Sequence, residues 1–324
     1  MKVGVLSLAH IHAPGYVKLL AARPDVTLAI ADPGGAEMAE SAGAEFHSTY
    51  ESLLAAKPDA VVVCAENTRH RALVELAAAA GAHVLCEKPL ATSTADAVAM
   101  IDACEKAGVA LMTAFPVRFS PAFQSVRNLV SSGSLGDVIA AVGTNNGKLP
   151  PDEYGWFTEP ELSGGGAMID HIVHVADLLE ALFSARPATV YAQSNRITYA
   201  HQARVETGGI VTVQYDNGLK ATIDCSWNRP PAFPTWGGLT LELVGTAGIV
   251  DVDPFAQAVT GFADGAVHYA WGDDLDALML EEFLSATAAG RAPQPGGAAS
   301  LRTVQIVEAA YLSARTNEPV TIAS

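Results

Sequence analysis

From Lys2 to about residue 117 the chain alternates short β-branched runs with alanine-rich helical stretches, and this rhythm limits the possible folds more than any other feature. Lys2–Leu8, Val26–Ala31, Ala60–Cys64, His83–Cys86 and Ala110–Ala114 read as strands, with helices between them at Pro14–Ala22, Ala36–Ala42, Arg69–Ala80 and Ser93–Ala107. Strands apolar on both sides and joined by helices belong inside a parallel sheet covered on both faces. The reading is a doubly wound α/β domain. After an amphipathic helix at Pro121–Ser131 the rhythm changes. Val138–Thr144, Thr189–Ile197, Gly209–Tyr215, Lys220–Ser226, Thr240–Val244 and Ile249–Val252 read as strands separated by turn signals such as Asp216-Asn217-Gly218. Helices close the chain at Leu275–Ala288 and Leu301–Ala314, giving an antiparallel α+β half.

A chain of 324 residues, half of them hydrophobic, buries enough for two domains. Its net charge of −16 argues against nucleic acid or an anionic membrane surface as the main partner. No run reaches the roughly 18 apolar residues that cross a bilayer, and the N-terminus enters a strand without a signal-peptide pattern. Cys64, Cys86, Cys104 and Cys225 lack paired metal-ligand spacing, which reads as free thiols of a cytoplasmic protein.

The densest chemistry lies between Ser163 and Asp177, where Gly164, Gly165 and Gly166 open a helix carrying Asp170 and His174 four residues apart. That spacing stacks a carboxylate and an imidazole on one helical face. Consecutive glycines suit a backbone that must approach something flat or bulky. The pair fits a general base with its orienting carboxylate, half of a metal site, or a buried structural pair. Asp177, three residues beyond His174, reads as structural, and His171 points elsewhere on the helix.

In a dinucleotide fold the first strand runs into G-x-G-x-x-G and then a helix whose N-terminus holds the pyrophosphate. Here those three slots hold Ser7, Ala9 and His12. Pro14 suits the first helical turn. Asp32 ends the second strand 20 residues after His12, where a carboxylate accepts from an adenosine ribose and repels a 2′-phosphate, favouring NAD over NADP; the bland alternative is a simple Asp32-Pro33-Gly34 turn. His10 and His12 could ligate a metal, but that needs further ligands on later parallel strands and the first half offers little beyond His70 and His83. No metal is expected. The His pair instead lines the phosphate or nicotinamide edge, or caps the helix.

Strand His83–Cys86 runs into Glu87-Lys88-Pro89, at the sheet edge where an open parallel sheet binds ligands. Together with Asp32 and the Gly-Gly-Gly…Asp…His helix, this resembles the glucose–fructose oxidoreductase/inositol dehydrogenase (Gfo/Idh/MocA) family. The resemblance runs through Ala65-Glu66-Asn67 with His70, Ala79 to Pro89, Arg118-Phe119-Ser120-Pro121, Gly133-Ser134-Leu135-Gly136, Ser163 to Asp177, Gly245-Thr246-Ala247-Gly248 and Leu301–Thr316. It implies an NAD(P)-binding Rossmann domain over residues 1–118. It also implies an α+β domain over residues 119–324, with a large open, mainly antiparallel sheet. It puts the catalytic lysine on Lys88 and the aspartate and histidine on Asp170 and His174, with Ala65, Asn67, His70 and Glu87 beside the cofactor. Asn67 either caps its helix or contacts the nicotinamide ribose. The glycine-poor loop Ser7–His12 is the departure from the family.

The expected reaction is hydride transfer between the nicotinamide and a hydroxyl-bearing carbon of a sugar, cyclitol or glycoside. His174 takes the hydroxyl proton, since an imidazole titrates at about 6.5. Asp170 orients it, and Lys88 stabilises alkoxide charge. Arg118, Asn145, Asn146, Lys148 and Trp156 are candidate substrate contacts; polar groups with an indole suit a carbohydrate. A glycoside-processing enzyme that recycles tightly bound NAD, and a non-catalytic NAD and sugar sensor, are rival readings. An uncovered apolar sheet face in the second domain would favour a homodimer or homotetramer.

Overall fold

The computed structural model describes residues 1–262 and 266–322. They form two compact units. The first comprises Met1–Ala114, Glu161–Ser163 and Met279–Leu301. Its elements run β1 (Lys2–Leu6), α1 (Ala13–Ala21), β2 (Thr27–Ala31), α2 (Ala36–Ala42), β3 (Glu45–His47), α3 (Tyr50–Ala55), β4 (Ala60–Val63), α4 (His70–Ala79), β5 (His83–Cys86), α5 (Thr94–Ala107) and β6 (Leu111–Thr113). The strands form one parallel sheet in the order β3-β2-β1-β4-β5-β6. Val3, Val5, Leu6 and Val61 to Val63 are fully buried, which explains the unbroken apolar runs. The chain crosses from one half of the sheet to the other between β1 and β4, so a crevice opens at their carboxyl ends. Ser7, Glu87 and Lys88 stand at that edge of the sheet.

Helix boundaries have local causes. The Ser93 hydroxyl accepts from the Asp96 amide at 3.1 Å to start α5, and Gly108, at φ +69°, ends it. Two elements of this unit are absent from the sequence reading, β3 and α3. The edge strand Glu45-Phe46-His47 is three residues long and partly polar, so it lacks the signature of its buried neighbours.

The second unit comprises Phe115–Pro160, Gly164–Leu278 and Arg302–Ser324. It holds α6 (Pro121–Ser131) and β7 (Val138–Asn146). The single turn α7 (Pro160–Ser163) then leads into α8 (Ala167–Leu182). Next come β8 (Pro187–Asn195), β9 (Gly208–Tyr215), β10 (Lys220–Ser226), β11 (Leu239–Gly245), β12 (Ile249–Val252), β13 (Ala258–Phe262) and β14 (Ala266–Ala270). Helices α9 (Leu275–Ala288) and α10 (Gly297–Thr316) and strand β15 (Val320–Thr321) close the chain. The large sheet runs β12-β11-β7-β10-β9-β8-β15 and is mainly antiparallel, with β7 and β10 parallel. Its inner face (Ala141, Leu241, Leu243, Ile223, Val211, Val213) packs with Ile172, Val175, Ala176 and Leu179 of α8. Gly143 lets α8 lie close: a Cβ there would stand 2.3 Å from a Val175 methyl.

The sequence boundary at 118 is replaced by a division after Ala114, and Met279–Leu301 returns to the first unit. The return is made by backbone contacts, a Met112–Gly296 bridge and a Thr113 N–H donating to the Pro295 carbonyl at 3.3 Å. Local periodicity cannot reveal such a long-range pairing. The outward sheet face is also less apolar than expected. Thr144, Thr212, Thr222, Thr240, Gln214 and Glu242 share it with Val142 and Ile210. Among the described residues no helix is long and apolar enough to cross a membrane.

Candidate active site

In the first unit, β1 ends at Leu6 and the chain turns at Ser7 with φ +70°. A first glycine in the dinucleotide fingerprint would adopt this left-handed conformation. The serine holds it while its hydroxyl accepts from the Ala9 amide at 3.2 Å. The loop therefore keeps a glycine-loop shape without glycine. Ser7→Gly should leave stability within about 1 kcal/mol. Ser7→Val puts a branched side chain at positive φ and should cost about 2 kcal/mol, readable as a shift in the urea midpoint. Equal midpoints for the two variants would contradict this.

Asp32 follows β2, and its carboxylate accepts from the Leu8 amide at 2.9 Å and the Gly34 amide at 2.8 Å. These bonds join the ends of β1 and β2 and hold the carboxylate in one orientation with further acceptor sites left over. The residues thus fit a dinucleotide: an αL turn, a helix start at α1 and a fixed acidic group on the second strand. Asn67 does not cap its helix. Its amide donates to the Ser163 carbonyl at 2.8 Å, while its buried Oδ1 finds no protein partner among the described residues.

His70, expected beside the cofactor, also has a structural role. Its ring is fully buried, with Nδ1 2.9 Å from the Pro89 carbonyl and Nε2 3.1 Å from that of Ala65. His70 ties the end of β4 to the turn after β5, and burial lowers its pKa. Ala65 is buried as well.

The end of β5 is the most charged part of the unit's interior. Glu87 is fully buried, and its Oε2 accepts from the Lys88 amide at 3.0 Å. Its Oε1 lies 2.8 Å from His12 Nδ1 and 3.4 Å from His10 Nδ1. Burial pushes the Glu87 carboxyl up, but His10, His12 and Lys88 pull it down further, leaving it well below the usual carboxylate range. Burial drives His10 well below its ordinary pKa, and its Nδ1 accepts from the His12 amide at 3.3 Å. His10, His12 and Glu87 lie close enough to share a cation, although the sequence reading set metal aside.

In the second unit every residue of α8 from Ala167 to Leu179 is buried except His174. His174 is half-buried, with its ring edge-on to Phe115 at 5.9 Å. A helix buried nearly all round opens at one imidazole, which is where a proton acceptor needs access. Asp170, 7 % exposed, accepts from Trp227 Nε1 at 3.0 Å and faces His171 Nε2 at 3.1 Å. His171, read from the sequence as pointing elsewhere, turns back onto its neighbour's carboxylate. Trp227 was not singled out, because the i, i+4 pattern does not report a residue at a strand end.

The triple glycine also has a protein cause. A Cβ on Gly165 would stand 2.0 Å from the Tyr311 hydroxyl, and one on Gly166 would stand 2.0 Å from the Glu206 carbonyl. The first amides of α8 are capped from a distance. Glu206 Oε1 accepts from Gly166 and Met168 at 2.9 and 3.0 Å, and the Tyr311 oxygen accepts from Gly166 and Ile169 at 3.1 and 3.3 Å. The flat, bulky neighbour expected from the sequence is a tyrosine of α10.

Three expected substrate contacts, Arg118, Asn145 and Asn146, bond to other protein groups. Arg118 is buried and forks onto Asp177: Nε donates to Oδ2 at 2.9 Å, Nη2 bonds Oδ1, and Nη2 also reaches the Asp177 carbonyl at 3.2 Å. Asn146 donates to Asp224 Oδ2 at 3.3 Å and accepts from the Ser226 hydroxyl at 2.6 Å. Asn145 donates to the His171 carbonyl at 3.3 Å. Trp156 is largely buried and stacks on Phe157 at 3.9 Å, whereas Lys148 stays half-exposed with its amide on the Trp236 carbonyl. Burial raises the Asp177 pKa against Arg118. Arg118→Ala should therefore cost about 3 kcal/mol, because it strands a buried carboxylate. A urea titration showing a loss under about 1 kcal/mol would refute that role.

Residues 11–115 match the family model described as an oxidoreductase family, NAD-binding Rossmann fold, and residues 123–251 match the GFO/IDH/MocA C-terminal domain. The chain belongs to the Gfo/Idh/MocA family. It is an NAD(P)-dependent oxidoreductase. Among its relatives, D-xylose 1-dehydrogenase (NADP(+)) 2 of Haloferax volcanii is 31% identical over 99% of both chains. The 1,5-anhydro-D-fructose reductase of Ensifer adhaerens is 37% identical over 50% of this chain and 49% of its own. The solved structure of GenD2 from gentamicin A biosynthesis, in complex with NAD, superposes with a TM-score of 0.91. That superposition covers 100% of this chain and 97% of GenD2 at 24% identity, and it establishes the shared fold. In this chain Ser7, Ala9 and His12 fill the glycine slots of the dinucleotide fingerprint.

Proposed function

We propose that this family member is a dehydrogenase that oxidises a hydroxyl-bearing carbon of a sugar or cyclitol and prefers NAD to NADP. The observation that carries the reading is His174, the one opening in an otherwise buried stretch of helix, one turn from the buried carboxylate of Asp170. The bound nicotinamide supplies the hydride acceptor. The chain's own residues handle the proton and the charge. His174 takes the hydroxyl proton, and Asp170, held by Trp227 and His171, sets the field for the imidazolium. Lys88 donates to the substrate oxygen as it becomes an alkoxide. Lys148 is the remaining candidate for the substrate's hydroxyls.

The NAD preference rests on Asp32. Its fixed carboxylate accepts from a ribose diol and repels a 2′-phosphate. A homo-oligomer through the open sheet remains part of the proposal, with Val142 and Ile210 as its apolar contacts; light scattering of the eluting protein reads its mass. The test of function is absorbance at the reduced-nicotinamide band with NAD or NADP and a panel of aldoses, inositols and glycosides. Reduction of NAD by a polyol or sugar supports the reading. Product release without net reduction, or cofactor binding with no turnover, sinks it.

A further inference from the structure

The segment joining β10 to β11 carries a cation that the proposed reaction leaves unused. Arg229 lies two residues past Trp227, whose indole holds Asp170. The parallel strands β7 and β10 end side by side, at Asn146 and Ser226. Just beyond them the Arg229 amide donates to the Gly147 carbonyl at 2.9 Å, and the Lys148 amide donates to the Trp236 carbonyl at 2.8 Å. Gly147 brings these joined loops against α8. A Cβ there would stand 3.2 Å from His171 Cε1, and His171 Nε2 faces Asp170 at 3.1 Å. The half-buried Arg229 guanidinium is held on one side only. Its Nη1 donates to the Thr235 hydroxyl at 2.6 Å and to the Gly237 carbonyl, and its Cζ lies 4.4 Å over the Phe233 ring. All three holds are uncharged. Among the described residues its Nε and Nη2 meet no acceptor, and no carboxylate pairs with it. That is notable in a chain with 35 acidic and 19 basic residues, where carboxylates are abundant.

We propose that the substrate is a sugar acid whose carboxylate is bound by the Nε–Nη2 edge of Arg229. This rests on the dehydrogenase reading and adds a substrate class to it. The Nε–Nη2 edge is a side of the guanidinium that takes a carboxylate through two parallel bonds. Arg118 uses that edge on Asp177, with Nε on Oδ2 and Nη2 on Oδ1. On Arg229 the neighbouring chain leaves room for it: a Cβ on Gly238 would stand 2.6 Å from Nη2. A bound carboxylate satisfies both donors and supplies the counter-charge that the half-buried cation lacks. A neutral sugar offers a hydroxyl oxygen there, without the second oxygen or the charge. Lys148, the candidate for the substrate's hydroxyls, adds a second positive charge on the adjoining loop. Local cations matter here because a net charge of −16 repels a free anion. The oxidation keeps its balance. The carbon's hydride passes to the nicotinamide, the hydroxyl proton passes to His174, a carbonyl forms, and the carboxylate is unchanged.

The test is steady-state reduction of NAD or NADP by the whole protein with matched compounds: D-glucose, D-gluconate, D-glucuronate and D-glucose 6-phosphate, and the same series from D-galactose. Wild type should turn over a carboxylate member with kcat/KM about 10- to 100-fold above its neutral parent, the worth of charge-assisted hydrogen bonds. Arg229→Gln should abolish that preference by raising KM for the acid, with kcat and the neutral sugar held within about twofold. Arg229→Lys keeps the charge without the fork and should restore only part of the preference. An arginine that merely latches its loop would, when replaced, lower the melting temperature and weaken acid and neutral substrates equally. Lys148→Gln alters a half-exposed side chain and should lower kcat/KM for the acid alone by about threefold, which is readable even where Arg229→Gln melts early. A wild type that favours the neutral parent, or an Arg229→Gln loss equal for acid and neutral, overturns the proposal and leaves the dehydrogenase reading intact. Preference for the sugar phosphate over both carboxylates overturns the assignment of a carboxylate. No reduction with any member of either series overturns both.

Discussion

Lys88→Ala should lower single-turnover hydride transfer by about 10²–10³-fold while changing the NAD dissociation constant less than about threefold. Lys88 is 5 % exposed and follows a strand whose end is fixed at several points. Its amide donates to Glu87 Oε2 at 3.0 Å, and the next carbonyl, that of Pro89, is gripped by His70 at 2.9 Å. A buried amine on a stiff turn is preorganised, so its worth lies in charge that develops during the reaction rather than in ground-state binding. Rapid-mixing absorbance with saturating NAD and substrate separates the two effects. A rate within about threefold of wild type would remove Lys88 from the mechanism. A dissociation constant raised as much as the rate falls would make it a cofactor anchor.

The second large effect is expected at the start of α8. Gly166→Ala should cost about 4 kcal/mol or more, because the new Cβ would stand 2.0 Å from the backbone carbonyl of Glu206 and 2.8 Å from a Val205 methyl. Relief would require moving the strand connection that carries Glu206, whose carboxylate caps the same helix. Gly165→Ala meets only the Tyr311 ring, with 2.0 Å to its hydroxyl and 2.5 Å to Cζ. It should cost nearly as much alone, but Tyr311→Ala should recover part of that loss in the double variant. Nothing comparable can rescue Gly166→Ala. Urea melts of the three single variants and the double variant test this, and strict additivity at 165 and 311 would show that the tyrosine is not the obstacle. Burial raises the Glu206 pKa, and Tyr311 rises well above its own usual value through burial and that neighbouring carboxylate.

The sequence carried the fold because local composition and tertiary role coincide there. Strand β4 is apolar throughout, and β1 and β5 are apolar after their first residues, Lys2 and His83, since both faces of the sheet are covered; their signature survives without context. The short partly polar β3 and the single-turn α7 left no such trace. Site candidates could be named where chemistry demands a residue type at a fixed spacing, as with Lys88 before a proline or Asp170 four residues from His174. Arg118 was named as a substrate contact and pairs with Asp177, because in the sequence an arginine looks the same whether it meets a ligand or a buried aspartate. Asp177 was rightly taken as structural, but the partner that makes it so could not be named.

The triple glycine shows the same division. The sequence by itself determined that backbone there must approach something closely, since three consecutive glycines lack a helical reason. It also determined the parallel sheet, the acidic end of β2 and the carboxylate–imidazole spacing on α8, all properties of residues near one another along the chain. Only the tertiary structure decided that the close neighbour is Tyr311, 146 positions after Gly165. It likewise decided that Glu206 caps α8, that Asp170 is held by Trp227 and His171, and that His12 Nδ1 lies 2.8 Å from Glu87 Oε1. Contacts of that kind depend on where distant segments are packed, and pairwise packing leaves no periodic mark on either segment.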